Sequence, residues 1–223
     1  TGTQGDDVNE YTLSTGFDVS TASFVDSFSV AGQDTIPRSL AFNTDGTKMF
    51  VVGQAGADVN EYTLSTGFDV STATYSQNFS VSSQDSSPRG IAFNTDGTKM
   101  FVVGTDGQDV NEYTLSTGFD VSTASYSQNF SVASQEISPQ GIAINNDGTK
   151  MFIVGSNGQD VNEYTLSTGF DVSTASFVDS FSVSSQENSP TGIAFNNDGT
   201  KMFIVGTSAD NVNEYDLSYS SLT

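Results

Sequence analysis

Residues 87–104 read Ser-Pro-Arg-Gly-Ile-Ala-Phe-Asn-Thr-Asp-Gly-Thr-Lys-Met-Phe-Val-Val-Gly, and versions of this stretch recur at 36–53, 138–155 and 189–206. Each version begins 51 residues after the previous one. A second stretch, Val-Asn-Glu-Tyr, keeps the same interval from Val8 to Val59, Val110, Val161 and Val212. A fixed internal period of about this length is typical of a stacked or circular array of similar units.

One repeat unit, residues 85–135, predicts four β-strands. Residues 90–94 form a short β-branched and aromatic run, and the Asp96-Gly97 pair after it favours a tight hairpin into 99–104. The second run is almost continuously apolar, which is typical of a strand that is covered on both faces. Residues 109–116 and 125–132 alternate between polar and apolar side chains and predict the third and fourth strands, with a longer connection between them.

A single four-stranded sheet cannot bury both of its faces, whereas several sheets arranged around a ring can. We therefore predict an all-β fold, a β-propeller of four four-stranded antiparallel blades with a 51-residue repeat. The stretch Ser-Pro-x-Gly-Ile-Ala-Phe-Asn-x-Asp-Gly-Thr-Lys-Met-Phe-Val-Val-Gly resembles the first half of the repeat in YVTN/NHL-type β-propellers. The resemblance implies that the Pro-x-Gly-Ile-Ala strand lines the central axis and that the Phe-Ser-Val strand lies outermost. It says little about function, because one fold supports many activities.

The strand count predicts a surplus strand at the N-terminus. Four blades at 34–84, 85–135, 136–186 and 187–217 leave the last one with three strands, and residues 23–30 are predicted to close it as its outer strand, so that the propeller covers 19–223. Residues 1–18 then remain over, as a strand and its connection. This strand could belong to a longer array, fold over an edge, or be donated to a neighbouring molecule, giving a head-to-tail filament. The residues predicted for self-association are Val8, Asn9, Glu10, Tyr11, Thr12 and Leu13.

Composition restricts the partners of the chain. The 27 acidic residues outnumber six basic ones, for a net charge of −21, so the surface repels nucleic-acid phosphate and anionic lipid. No apolar run is long enough to span a membrane. We expect no nucleic-acid partner and no membrane insertion, and we expect the chain to bind itself or glycans. The acidic, cysteine-free, Ser/Thr/Asn-rich composition suggests an extracellular protein or one on a cell or virion surface.

Two sets of residues recur in the loops that a propeller places on one face. Acidic residues there could hold Ca²⁺, although no Asp-x-Asp-x-Asp-Gly spacing is present and solvated acids are the simpler interpretation. The first acidic set is Asp34, Asp85, Glu136 and Glu187, and the second is Asp7, Asp58, Asp109 and Asp160. The residue after each proline varies between copies and is expected near the mouth of the axis. This variation indicates either an asymmetric ligand site or sequence drift. These residues are Arg38, Arg89, Gln140 and Thr191.

The sequence favours a protein that is not an enzyme. Histidine and cysteine are absent, so neither a Ser-His-Asp nor a Cys-His arrangement can form, and the acids recur as equivalent copies without one distinct pair. No cofactor is expected apart from the Ca²⁺ considered above. The leading hypothesis is a structural or adhesion propeller that assembles with itself. The alternatives are a multivalent glycan- or Ca²⁺-binding module and a fragment of a longer array.

Overall fold

The computed structural model describes residues 1–2 and 4–217 and shows an all-β, four-bladed propeller with an additional N-terminal strand pair. The strand pair comprises β1 (Asp7–Leu13) and β2 (Ala22–Ser29). Blade 1 contains β3 (Pro37–Phe42), β4 (Lys48–Gly53), β5 (Asp58–Leu64) and β6 (Ala73–Ser80), and blade 2 contains β7 (Pro88–Phe93), β8 (Lys99–Gly104), β9 (Asp109–Leu115) and β10 (Ala124–Ser131). Blade 3 contains β11 (Pro139–Ile144), β12 (Lys150–Gly155), β13 (Asp160–Leu166) and β14 (Ala175–Ser182), and blade 4 contains β15 (Pro190–Phe195), β16 (Lys201–Gly206) and β17 (Val212–Asp216).

The hairpin between the first two strands of each blade is closed by side chains of the Asn-x-Asp-Gly-Thr sequence. In blade 2, Asp96 Oδ1 accepts hydrogen bonds from the backbone N–H of Thr98 at 3.0 Å and from its hydroxyl at 2.6 Å. The Thr98 hydroxyl, which bonds the ionised carboxylate, is the main cause of a lowered pKa of Asp96. Gly97 has a φ of 72°, the left-handed conformation that such a turn requires. The prediction of a tight Asp-Gly hairpin is confirmed.

The connection between the third and fourth strands contains a short 3₁₀ helix, which the sequence pattern did not predict. The four copies are Val19–Thr21, Val70–Thr72, Val121–Thr123 and Val172–Thr174. Asp120 caps the copy in blade 2 by accepting the N–H of Ser122 at 3.1 Å. Phe119, just before the cap, has a φ of 57°, an unfavourable conformation for a bulky residue. Its ring packs over the Gly97 turn, so tertiary packing holds this strained backbone in place.

The hydrophobic core lies between neighbouring blades. Between blades 1 and 2, Phe50 and Val52 of β4 pack in one cluster with Met100 and Val102 of β8 and with Tyr113 of β9. All four apolar residues of β8 are fully buried, which confirms the prediction of a second strand that is covered on both faces. Around the axis, the first strands approach so closely that a Cβ atom on Gly90 would lie 3.1 Å from the backbone of the next blade.

The placement of the N-terminal strands differs from the prediction. Residues 23–30 were expected to close blade 4, but β2 pairs with β1, and β17 has no outer partner strand among the described residues. Residues 8–13 were expected to have no place in the ring, but β1 and β2 lie between blade 4 and blade 1. Their eight-residue connection matches that of the complete blades, and this local pairing costs less loop entropy than joining the two ends of the chain.

Contacts on both sides hold the N-terminal pair in the ring. Glu214 of β17 accepts the N–H of Val19 at 3.2 Å, and the rings of Phe17 and Phe203 stack with their centroids 6.3 Å apart. On the other side, Val8 and Val30 belong to the same hydrophobic cluster as Met49 of blade 1. The pair therefore occupies a fifth position, contributing the third and fourth strands of a blade.

No described helix has the length and apolar character to cross a membrane.

Candidate functional site

The first acidic set forms a bridge between two loops of each blade. In blade 2, Asp85 Oδ1 accepts the N–H of Ser87 at 2.7 Å and Oδ2 accepts the N–H of Gly107 at 3.0 Å. Asp34 makes the equivalent pair of bonds in blade 1, and Glu136 and Glu187 do so in blades 3 and 4. Desolvation raises the pKa of Asp85, and the two backbone N–H groups oppose this effect. The geometry gives these carboxylates a structural role.

The second acidic set lies beside the first and is also hydrogen-bonded. Asp109 accepts the side-chain amides of Asn111 at 2.7 Å and of Asn129 at 2.5 Å. Burial raises the pKa of Asp58 and of Asp160, and the neighbouring carboxylate of the first set raises each further. No group of three or more acidic side chains that could hold a metal occurs in the described part of the chain. The predicted Ca²⁺ site therefore stays a prediction without a geometric counterpart.

The four residues after the prolines differ in their contacts. Arg38 donates to Gln54 Oε1, Gln140 to the backbone carbonyl and hydroxyl oxygens of Ser138, and Thr191 to the carbonyl of Val205. Arg89 is near Arg38; desolvation and then the charge of Arg38 lower its pKa, and its Nε atom is buried without a hydrogen-bond partner. The charges of the two arginines therefore act on each other.

The four lysines that follow the hairpin turns form cross-strand ion pairs. Lys48, Lys99, Lys150 and Lys201 contact Glu61, Glu112, Glu163 and Glu214, respectively. Each glutamate lies on the third strand of its blade, on the wall of a groove toward the next blade. We call this the inter-blade groove.

Most of these grooves are filled by the next blade, through the connection between its third and fourth strands. Glu61 Oε2 accepts the N–H of Val121 at 3.1 Å, Lys48 donates to the carbonyl of Phe119 at 2.6 Å, and the Phe119 ring stacks on Phe50. The same hydrogen bond, donated by a valine N–H to a glutamate carboxylate, recurs from Val172 to Glu112, from Val70 to Glu10 and from Val19 to Glu214. The segment that carries these contacts reads Thr-Gly-Phe-Asp-Val in every copy.

The groove between blades 3 and 4 is the exception. The described residues leave there a cavity of about 680 Å³, lined by Lys150, Phe152, Glu163, Phe195 and others. The Glu163 side chain is 29% exposed, against 2% for Glu61 and for Glu112. At the positions equivalent to Gly-Phe-Asp-Val, the sequence has Ser-Ser-Leu-Thr at 220–223, which lie outside the described residues.

The strand predicted for self-association is paired within the chain. Val8, Asn9, Glu10, Tyr11, Thr12 and Leu13 all belong to β1 and are in register with β2. Val8 is buried, and Glu10 accepts a hydrogen bond from the N–H of Val70. Tyr11 is 57% exposed, whereas the equivalent Tyr62, Tyr113 and Tyr164 are fully buried. The role of these residues in self-association stays a prediction.

Sequence reasoning missed the phenylalanine of the connection. Phe17, Phe68, Phe119 and Phe170 lie in a polar stretch with no strand pattern, which predicts only a connection between two strands. Their spacing of 51 residues was the available signal, together with the loss of the pattern at Ser221.

The comparisons with known proteins support the fold. No protein-family model matches the chain, and no curated protein matches its sequence. Similar solved structures include a functionally unknown protein from Desulfotomaculum acetoxidans DSM 771, at 13% identity and a TM-score of 0.58 over 98% of this chain and 61% of that one. Another is a protein from Bacteroides uniformis ATCC 8492 named "putative 6-phosphogluconolactonase", at 11% identity and a TM-score of 0.58 over 99% and 63%.

A chain in a nidogen/laminin complex is also similar, at 13% identity and a TM-score of 0.60 over 95% of this chain and 71% of that one. The chain spans about three fifths of the length of the first two of these structures. Identities this low show the fold alone, and the class that fold and site define is a β-propeller built from one repeated blade.

Proposed function

We propose that the chain is a non-enzymatic structural or adhesion propeller of the YVTN/NHL type that works outside the cell and associates with itself. The proposed contact surface is the junction of blade 4 with the N-terminal pair. The absence of histidine and cysteine from the sequence supports a non-catalytic role, as does the engagement of the repeated carboxylates in loop bridges. The acidic composition supports an extracellular location.

One observation carries the proposal: apolar side chains that are buried in the complete blades are exposed at this junction. Val205 is 41% and Val212 is 47% exposed, whereas their equivalents Val103 and Val110 are fully buried. The outer edge of β17 also lacks a partner strand among the described residues. An unpaired edge next to exposed apolar side chains is a site at which another chain adds.

Sedimentation velocity from micromolar to millimolar concentration tests self-association. We expect species that grow with concentration, and we expect the double variant Val205→Ser/Val212→Ser to shift this growth to higher concentration. The matched control is Tyr75→Ser/Tyr126→Ser, which changes two similarly exposed side chains on the outer strands of other blades. A chain that stays monomeric over the whole range would refute the proposal.

A second candidate function is the binding of an acidic glycan at the mouth of the axis. It is supported by Arg38 and Arg89, the two basic residues that form no ion pair in the described structure, and by the unpartnered Nε of Arg89. Guanidinium groups suit carboxylate and sulfate ligands. Calorimetry with sulfated and uronic-acid oligosaccharides tests this, with Arg89→Gln as the control because blade 3 has Gln140 there. No heat with the unmodified chain would dismiss this function.

A further inference from the structure

We propose that blade 4 has one acceptor site, made of the groove between blades 3 and 4 and the outer edge of β17, and that it takes residues 14–30 of a second copy of the chain. This inference rests on the proposed self-association, names the segment that is donated, and adds the groove between blades 3 and 4 to the contact surface. Residues 14–30 contain one Thr-Gly-Phe-Asp-Val connection followed by β2. These are the two parts that the described blade 4 lacks.

The groove half of the site is complete in its chemistry. Phe152 and Phe195 have ring centroids 4.6 Å apart, close to the 4.5 Å of Phe50 and Phe93 in the groove that holds Phe119. Lys150 and Glu163 form the ion pair that elsewhere contacts the carbonyl of the phenylalanine and the N–H of the valine. We therefore expect the incoming Phe17 to lie against Phe152.

The edge half of the site, β17, shares a four-residue sequence with β1, the strand that pairs with β2 in the chain. Residues 212–215 of β17 read Val-Asn-Glu-Tyr, as do residues 8–11 of β1. In the chain, Val8 lies opposite Phe28 and Tyr11 opposite Phe24, and the same register on β17 would pair Val212 with Phe28. β2 is also identical in sequence to β14, the outer strand of blade 3: both read Ala-Ser-Phe-Val-Asp-Ser-Phe-Ser.

The charges in this groove do not exclude the segment. Asp179 stands where blades 1 and 2 have Gln77 and Gln128, so the incoming Asp18 meets a carboxylate instead of an amide. The N-terminal pair has the same residue, Asp26, at that position, and its groove nevertheless holds the connection that contains Asp69.

The exchange replaces the strand and groove contacts of residues 14–30 by equivalent ones, and it gives up the packing of Val30 against Met49 of blade 1. In the donor, residues 14–30 leave β1 and the groove at Glu214; in the acceptor, they meet β17 and the groove at Glu163. The acceptor groove adds one interaction, because Lys150 is positioned like Lys48 and Lys99, which bond the phenylalanine carbonyl at 2.6 and 2.7 Å.

The sequence at 220–223 differs from the connections of the filled grooves. It has Ser221 at the position of the phenylalanine and Leu222 at the position of the capping aspartate. The aromatic contact and the 3₁₀ cap are thus encoded in residues 14–30 and not in 220–223.

The first experiment measures binding of a fluorescent peptide, residues 14–30, to the full chain by anisotropy. We expect saturable binding that weakens at least tenfold when the peptide carries Phe17→Ser, a loss of about 1.4 kcal/mol. We expect a similar loss with the full-chain variant Glu163→Gln and none with Tyr75→Ser. Absence of binding to the unmodified chain, or equal binding of both peptides, would overturn the acceptor site.

The second experiment separates donor from acceptor in the full chain. The Phe17→Ser chain should no longer self-associate but should still bind the unmodified peptide; circular dichroism verifies its fold. Mixed with the Glu163→Gln chain, which donates but accepts poorly, it should form one-to-one complexes only. If both variants assemble like the unmodified chain, the inference is wrong while self-association stands. If the unmodified chain stays monomeric, self-association fails, and the peptide result alone decides on the acceptor site.

Discussion

Replacing Asp85 by asparagine tests the structural role of the loop bridge. Asp85 is only 2% exposed, and its two oxygens accept the N–H groups of Ser87 and Gly107. Hydrogen bonds to a charged group contribute about 1.5–3 kcal/mol each. Asparagine keeps one acceptor and turns an amide N–H toward the second donor. Because burial already penalises the ionised carboxylate and raises its pKa, we expect a net loss of about 2–4 kcal/mol in unfolding free energy.

Urea denaturation followed by tyrosine fluorescence measures this loss. The matched control is Asp85→Glu, because blades 3 and 4 have Glu136 and Glu187 at this position and use them for the same bridge. We expect the control to cost less than about 1 kcal/mol. Added Ca²⁺ should leave both midpoints unchanged. The reasoning is refuted if Asp85→Asn is as stable as the unmodified chain, or if Ca²⁺ stabilises the unmodified chain and not this variant.

Two comparisons of matched positions and one pH titration give three more predictions. Glu112→Gln should lower the unfolding free energy by about 2–3 kcal/mol because a buried ion pair and an inter-blade bond are lost, whereas Glu163→Gln in the open groove should cost under about 1 kcal/mol; urea titration compares them. Tyr113→Ala should cost about 3–5 kcal/mol and the exposed Tyr11→Ala under about 1 kcal/mol, measured by thermal unfolding. As pH falls from neutral toward the ordinary value of 3.8, stability should rise, because burial raises the pKa of Asp58 and protonation relieves its penalty. Below the ordinary value of 3.8, stability should fall, since threonine hydroxyls lower the pKa of the four turn aspartates and their contribution disappears on protonation. Equal effects within a pair, or a monotonic pH profile, would contradict these expectations.

The repeat made the blades predictable from sequence. The second strand was placed at 99–104, as observed, and the other strands of that unit within two residues of their observed ends, because the Asp96-Gly97 turn and period-2 alternation are local signals. These features depend on contacts that each copy of the repeat contains in full.

The position of the N-terminal strands and the filling of the grooves could not be predicted in the same way. Whether β2 pairs with β1 or with β17 depends on two strands of nearly identical sequence, and only chain connectivity and loop entropy separate them. The role of Phe119 depends on a strained left-handed backbone and on a groove in the preceding blade. Neither signal exists within one strand.

The contact of each third-strand glutamate with the next blade has a consequence for the history of the chain. Glu61 reaches Val121 and Glu112 reaches Val172, so both partners of the bond shift together when a whole 51-residue unit is copied. A tandem duplication in the gene therefore inserts a blade that fits both neighbours at once, without compensating substitutions. Such modular growth explains how near-identical copies arise and persist, since recombination between them exchanges equivalent surfaces.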